Sequence, residues 1–235
     1  MLERLDLVAV DVDGTLTHEE PYIHLGAVKA LRSLGEKVPI ALVTGNPFPI
    51  AYALSAYLRP SPQVVGIAEN GGVVYFGGEY KLIGDLNAMK KVKRFIENSK
   101  YKKYLSEDSK FRYVDLALRM DPVTQERLVD EILSSDLAVE ITTSGYALHI
   151  MPKGVNKGTG LLSLCEELGI NPRHVAAIGD SHNDLEMFSV AGLSISLPNA
   201  PREVKERADI VVGGPGYGYS LPLAIRVLKS FLSSP

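Results

Sequence analysis

An unbroken apolar run, Leu7-Val-Ala-Val, carries straight into Asp11-Val-Asp13-Gly14-Thr15. Such a run reads as a strand buried on both faces, and the glycine opens a turn at its end. Residues two apart in an extended segment point to the same side, so Asp11 and Asp13 face one pocket at the strand's carboxyl end. Two carboxylates held together repel unless a positive charge sits between them, and oxygen-only ligands at such a place suit magnesium. One aspartate after a strand would read as an ordinary turn or helix cap.

From this strand onward the pattern alternates: strand 5–11, helix 24–34, strand 38–43, helix 47–58, strand 64–68. That order predicts a Rossmann-like α/β fold, a parallel sheet with right-handed crossovers. Ligands of open α/β sheets gather at the carboxyl ends of the strands. The second strand is followed there by Thr44-Gly45-Asn46-Pro47 and the third by Glu69-Asn70-Gly71-Gly72. The latter reads as a structural turn, with Asn70 placed at the right edge of the sheet to touch a substrate.

After Gly72 the pattern changes. Two short apolar runs flank Gly77-Gly78, a hairpin signal. A helix is expected at 86–98, a strand at 112–119, a helix opening at Asp121-Pro122, and two alternating runs at 137–141 and 146–150 joined by Thr143-Ser-Gly. Proline suits a helix start. This mixed block predicts an inserted α+β cap domain at 82–153, with residues 1–81 and 154–235 forming the catalytic core. The βα alternation resumes with helix 157–169, strand 175–179, helix 183–191, strand 193–197, a short helix at 201–207, a strand at Ile210 and a closing helix at 220–232.

Length and composition narrow the partners. The 235 residues carry a net charge of −3, which gives no reason to expect nucleic acid or an anionic membrane surface. The single cysteine, Cys165, excludes an intrachain disulfide framework and sits at helical spacing among leucines. No apolar run approaches the ~20 residues of a membrane span, so a soluble cytoplasmic protein is expected, as monomer or homodimer. The lysine-rich stretches at 90–94 and 100–103 read as solvated surface.

The polar residues at the strand ends form one set: Asp11, Asp13, Thr44, Gly45, Lys157, Asp180, Asn183 and Asp184. Gly179-Asp-Ser-His-Asn-Asp184 follows an apolar strand just as the first motif does. Four converging carboxylates repel at a cost of about 4 kcal/mol per pair at ~4 Å near a surface, so a cation is expected among them. A phosphomonoester dianion brought to this edge needs that cation, an ammonium and hydroxyl or amide donors. Lys157 and Thr44 offer the last two. An aspartate can then attack phosphorus, and another can move the protons. His182 reads as a surface residue at a helix start and His149 as a packed residue of a strand-like run, while Arg112 and Arg119 are the cations to watch as contacts for an acidic substrate.

In order and spacing, Asp11-Val-Asp13-Gly14-Thr15, Thr44, Lys157 and Gly179-Asp180-Ser-His-Asn183-Asp184 resemble the four motifs of the haloacid-dehalogenase-like phosphatase superfamily. The insertion looks like that superfamily's type IIB cap, and the compact length with Thr44-Gly-Asn is similar to archaeal-type phosphoglycolate phosphatases. The resemblance implies hydrolysis of a small phosphorylated metabolite, 2-phosphoglycolate foremost, through an aspartyl-phosphate. Asp11 would be the nucleophile and Asp13 the general acid/base. Magnesium would be held by Asp11, the Asp13 carbonyl and Asp180, with Asp184 as a further ligand or just behind, Asn183 in support, and Thr44, Gly45 and Lys157 on the phosphoryl group. A broad sugar-phosphate phosphatase, a phosphomutase, and a receiver-like phospho-aspartate signalling module are the alternatives. Many type IIB members read Thr-Gly-Arg where Asn46 stands, so an arginine contact to substrate is missing here.

Overall fold

The computed structural model describes residues 4–135, 137–143 and 147–232. Its strands are β1 (Leu7–Asp11), β2 (Ile40–Val43), β3 (Val65–Ala68), β4 (Val73–Phe76), β5 (Glu79–Leu82), β6 (Leu116–Leu118), β7 (Val139–Thr143), β8 (Leu148–Pro152), β9 (Val175–Gly179), β10 (Leu193–Ser196) and β11 (Ile210–Val211). The helices are α1 (Leu25–Gly35), α2 (Phe48–Leu58), α3 (Leu86–Glu97), α4 (Pro122–Leu133), α5 (Lys157–Leu168), α6 (Leu185–Val190), α7 (Arg202–Arg207) and α8 (Tyr217–Leu232).

Eight strands form one sheet in the order β11-β10-β9-β1-β2-β3-β4-β5, parallel from β11 through β3. The hairpin β4–β5 adds an antiparallel margin, turning at Gly77 and Gly78, both with positive φ. β1 lies at the centre because it is apolar on both faces. Val8 and Val10 pack against α1 and α8, while Leu7 and Ala9 pack against α5 and α6. Fully burying one such side chain contributes about 1.5–3 kcal/mol, which makes a polar substitution in Leu7–Val10 costly and leaves the strand's end as the place for carboxylates.

A separate antiparallel sheet, β6-β8-β7, packs with α3 and α4 around its own apolar cluster of Met89, Val92, Leu116, Leu118, Leu128 and Ile150. Asp121 caps α4 by accepting from the Thr124 amide, with Pro122 in the first turn, as the sequence leads one to expect. The strand expected at 112–119 is confined to Leu116–Leu118. Residues 113–115 turn their amides to a carboxylate of the large sheet's loops instead of to a neighbouring strand. The two runs expected at 137–141 and 146–150 fall two residues later, as Val139–Thr143 and Leu148–Pro152. Ser144 and Gly145, expected to join them, lie outside the described residues.

Among the described residues, no helix is long and apolar enough to cross a membrane. Lys100 pairs with Glu131, and Tyr101 is buried with its hydroxyl donating to the same glutamate, so part of that basic stretch anchors the smaller sheet's helices.

Candidate active site

Asp11, Asp13, Asp180 and Asp184 all lie at or past the carboxyl end of a parallel strand. Asp11 closes β1 and Asp13 follows it, Asp180 follows β9, Thr44 follows β2, and Lys157 opens α5. Asp11, Asp13, Gly45 and Lys157 line a cleft of about 350 Å³ whose opposite wall carries Arg112, Arg119 and His149. Thr44, Asp180 and Asp184 stand behind that lining.

Lys157 is 1% exposed and joins the motifs. Its Nζ donates to Asp11 Oδ1 at 2.6 Å, Asp184 Oδ1 at 2.7 Å and Asn183 Oδ1 at 3.3 Å. Burial disfavours the ammonium, yet Asp11 and Asp184 outweigh it and its pKa stands above the ordinary lysine value. The backbone around it is fixed by a capping box between Asn156 and Thr159. A cation at a helix N-terminus opposes the helix dipole, and these carboxylates supply the partner that its position requires.

Asp184 is fully engaged. Its Oδ1 takes the lysine, and its Oδ2 accepts from the amides of Asp180 and Ser181, both at 2.9 Å. It thus holds the loop that presents Asp180. That carboxylate accepts from Thr15 Oγ1 at 2.7 Å and from Asn199 Nδ2 at 2.8 Å. Burial first, then the nearby Asp184 charge, push its pKa up to about 7. Gly14 has a φ of +86°, and a Cβ there would lie 2.3 Å from Asp180 Oδ2, so the turn after β1 must be glycine for Asp180 to come in so close.

Asp13 turns away from this group. Its Oδ2 accepts from Asn46 Nδ2 at 2.7 Å and Thr44 Oγ1 at 3.2 Å. Its pKa is raised by burial, against the opposing pull of Lys157 and of those two hydrogen bonds. Asp11 is raised well above the ordinary carboxyl value, by burial above all; Lys157 opposes this, while Asp184, Asp180 and Asp13 add to it.

Three buried side-chain atoms among the described residues have no hydrogen-bond partner: Asp11 Oδ2, Asn70 Nδ2 and Arg112 Nε. Leaving such a group unpaired costs about 1–3 kcal/mol, and all three belong to this site or its walls. The geometry is that of a place completed by a ligand. Asp11, Asp180 and Asp184 each offer an oxygen within 4.8 Å of the others. An all-oxygen donor set with one bare carboxylate oxygen fits a hard divalent cation, magnesium foremost.

Sequence reasoning missed several residues that hydrogen-bond the candidate site or its loops. Asn199 donates to Asp180 and to the Gly14 carbonyl, and accepts from the Tyr217 amide at the start of α8. It lies just beyond β10, so the rule of inspecting strand ends would have found it. Asn46, flagged for lacking a guanidinium, instead orients Asp13. Glu69, read as part of a turn, is 0% exposed and accepts from the amides of Phe48, Tyr113, Val114 and Asp115. The two histidines lie as expected: His149 is packed with Nδ1 2.8 Å from Asp115 Oδ2, and His182 is exposed.

Fold and site together define a class. The chain matches the family model for haloacid dehalogenase-like hydrolases over residues 8–111 and 83–214, and it belongs to that family. It is 36% identical over 222 residues to the phosphoglycolate phosphatase of Methanothermobacter thermautotrophicus, which covers 93% of this chain and 96% of that protein. A Thermoplasma acidophilum protein of known structure superposes with a TM-score of 0.83 at 25% identity, over 97% of this chain and 99% of its own. A subclass IIB sugar phosphatase shares the fold, with a TM-score of 0.72 at 19% identity over 96% of this chain and 98% of its own.

Proposed function

We propose that the protein is a magnesium-dependent phosphomonoesterase that hydrolyses a small phosphorylated acid, 2-phosphoglycolate foremost, through an aspartyl-phosphate on Asp11. The observation that carries this reading is the unpartnered Asp11 Oδ2, buried at the floor of the cleft while Lys157 holds the other oxygen. The relatives named phosphoglycolate phosphatase support the substrate.

Asp11 and Asp180, with the Asp13 carbonyl, would hold the cation, and Asp184 would support them from behind. Once bound, the cation offsets charge on the phosphoryl oxygens and on Asp11. Lys157 favours the ionised form of Asp11 and aims it, and with the Gly45 amide it would receive the phosphoryl group, the Thr44 hydroxyl joining them when it turns from Asp13. An Asp11 oxygen forms the new bond to phosphorus as the ester oxygen departs. Asp13, whose raised pKa favours the protonated form, gives its proton to that oxygen. Thr44 and Asn46 both bond Oδ2, which leaves Oδ1 to carry the proton. Asp13 then takes a proton from the water that attacks phosphorus, the bond to Asp11 breaks, and orthophosphate leaves.

The smaller sheet and its helices act as the cap that excludes bulk water and limits substrate size, since a cleft of about 350 Å³ suits a metabolite. Arg119 lines it and makes no ion pair among the described residues, so it is free to meet a substrate carboxylate. The test is a set of phosphorylated metabolites assayed for phosphate release with and without magnesium. No release from any small phosphate ester would refute the reading. An Arg119→Ala variant is expected to raise KM for 2-phosphoglycolate roughly tenfold, about 1.4 kcal/mol, while leaving KM for glycerol phosphate unchanged. An equal change for both esters would remove Arg119 from the carboxylate.

A further inference from the structure

The Thr44–Asn46 loop is held from behind by three separate donors. The Thr44 carbonyl accepts from the Asn70 amide at 3.2 Å, and the Asn46 carbonyl from the Glu69 amide at 3.0 Å. Between them, the Gly45 carbonyl accepts from Arg112 Nη1 at 2.9 Å. Two donors thus come from the turn after β3, and the third reaches across from the segment that leads into β6. With three successive carbonyls tied back, the loop has one orientation left for its amide groups and side chains. That orientation places the Thr44 hydroxyl and Asn46 amide on Asp13.

The link runs in both directions. Glu69, from the core, accepts from the amides of Tyr113, Val114 and Asp115, which directly follow Arg112. Glu69 and Asn70 both have φ of 52°, a region that a glutamate adopts only under constraint. That backbone is what lets one residue bond the catalytic loop with its amide and the cap segment with its carboxylate.

An arginine in the wall of the cleft would ordinarily be taken as a receptor for an anionic substrate. Here both terminal nitrogens are engaged, and Nε alone is left without a partner. Besides Gly45, Nη1 donates to Asp115 Oδ1 at 2.5 Å, and Nη2 donates to Asp108 Oδ2 at 2.8 Å. The guanidinium faces two carboxylates, and its side chain is 4% exposed. Its charge is already balanced, and its position is fixed by the planar fork that only arginine provides.

We infer that Arg112 is a positioning residue for the reaction: by holding the Gly45 carbonyl it completes the phosphoryl-binding loop, so the site is assembled only when the cap is seated. This rests on the reading of Thr44–Asn46 as a phosphoryl site. Phosphate release by the native protein tests that reading, and the variants below test the inference.

Arg112→Lys keeps a positive charge between Asp108 and Asp115 but cannot span all three oxygens. It is expected to lower kcat about 10- to 100-fold, and to weaken inhibition by orthophosphate by a similar factor, even with p-nitrophenyl phosphate, an ester that makes no use of a carboxylate subsite. An arginine serving substrate recognition alone would raise KM for 2-phosphoglycolate and spare p-nitrophenyl phosphate; one serving only the cap's stability would change the melting temperature and spare kcat. Either result overturns the inference. In Arg112→Ala, millimolar guanidinium is expected to restore at least tenfold in kcat without raising the melting temperature. Native circular dichroism with no rescue would count against it, and a misfolded Arg112→Ala would leave the decision to Arg112→Lys.

Discussion

Asp11→Asn is expected to abolish turnover, lowering kcat by at least about 10⁴-fold, with no loss of stability. Removing a nucleophile outright costs on this scale where the remaining groups supply only binding and electrostatic stabilisation. Asparagine has nearly the same shape but no anionic oxygen to attack phosphorus. The fold should tolerate it because the native carboxylate is electrostatically unfavourable without a cation: burial and three neighbouring carboxylates disfavour its charge, and Lys157 alone opposes them. Lys157 keeps Asp184 at 2.7 Å in the variant. Phosphate release under saturating substrate, with a thermal melt, checks both halves, and activity within tenfold of native would sink the nucleophile assignment. Asp13→Asn should behave differently. General acid–base catalysis contributes about 10²–10⁴-fold, and the loss of a proton donor matters most for an alkyl leaving group. The defect is therefore expected to be larger with 2-phosphoglycolate than with p-nitrophenyl phosphate.

The centre of this fold is legible in the sequence because the chemistry there is local. β1 alternates between two packed helical layers, so it must be apolar at every position, and the first polar residues after it fall at the site. The same holds for Asp180 after β9 and Thr44 after β2. Contacts that join distant segments leave less trace. Thr15 meets Asp180 across 165 positions, and Asn199 reaches back to Gly14. Neither has periodicity to announce it, since one hydroxyl or amide in a loop is compatible with many partners. The segment 112–119 misleads for a related reason. Its residues read as a strand, but Glu69 captures the amides of residues 113–115, and only the tertiary fold brings that carboxylate there. Asn46 shows what a family pattern leaves out: seen as the absence of an arginine, it is in place as a donor to Asp13, while the guanidinium near this loop comes from Arg112, in the segment that leads into β6.

Removal of the cation should make stability depend on pH in a direction that its return cancels. Asp180 has a folded pKa of about 7 against an ordinary 3.8. The folded chain therefore retains a proton that the unfolded chain releases. The stability linked to that proton is fully present below 3.8 and is lost as pH rises through about 7. Asp11, Asp13 and Glu69 are raised as well and act in the same sense. The depressed His24 acts oppositely over part of the range. With chelator, the melting temperature is expected to fall between about pH 5.5 and 8. Magnesium held by these carboxylates would compete with the proton, so its affinity should rise over that interval. At pH 8 and 100 times its Kd, a ligand stabilises by about 2.7 kcal/mol, or roughly 5–11 °C for a chain of this size; at pH 5.5 competition from the Asp180 proton alone should cut that shift to about a third. Asp180→Asn removes the titrating group while leaving His24 in place, and it should flatten the pH dependence and the magnesium effect together. A magnesium-induced shift equal at both pH values would show that the cation does not displace protons from this cluster, and would place it elsewhere.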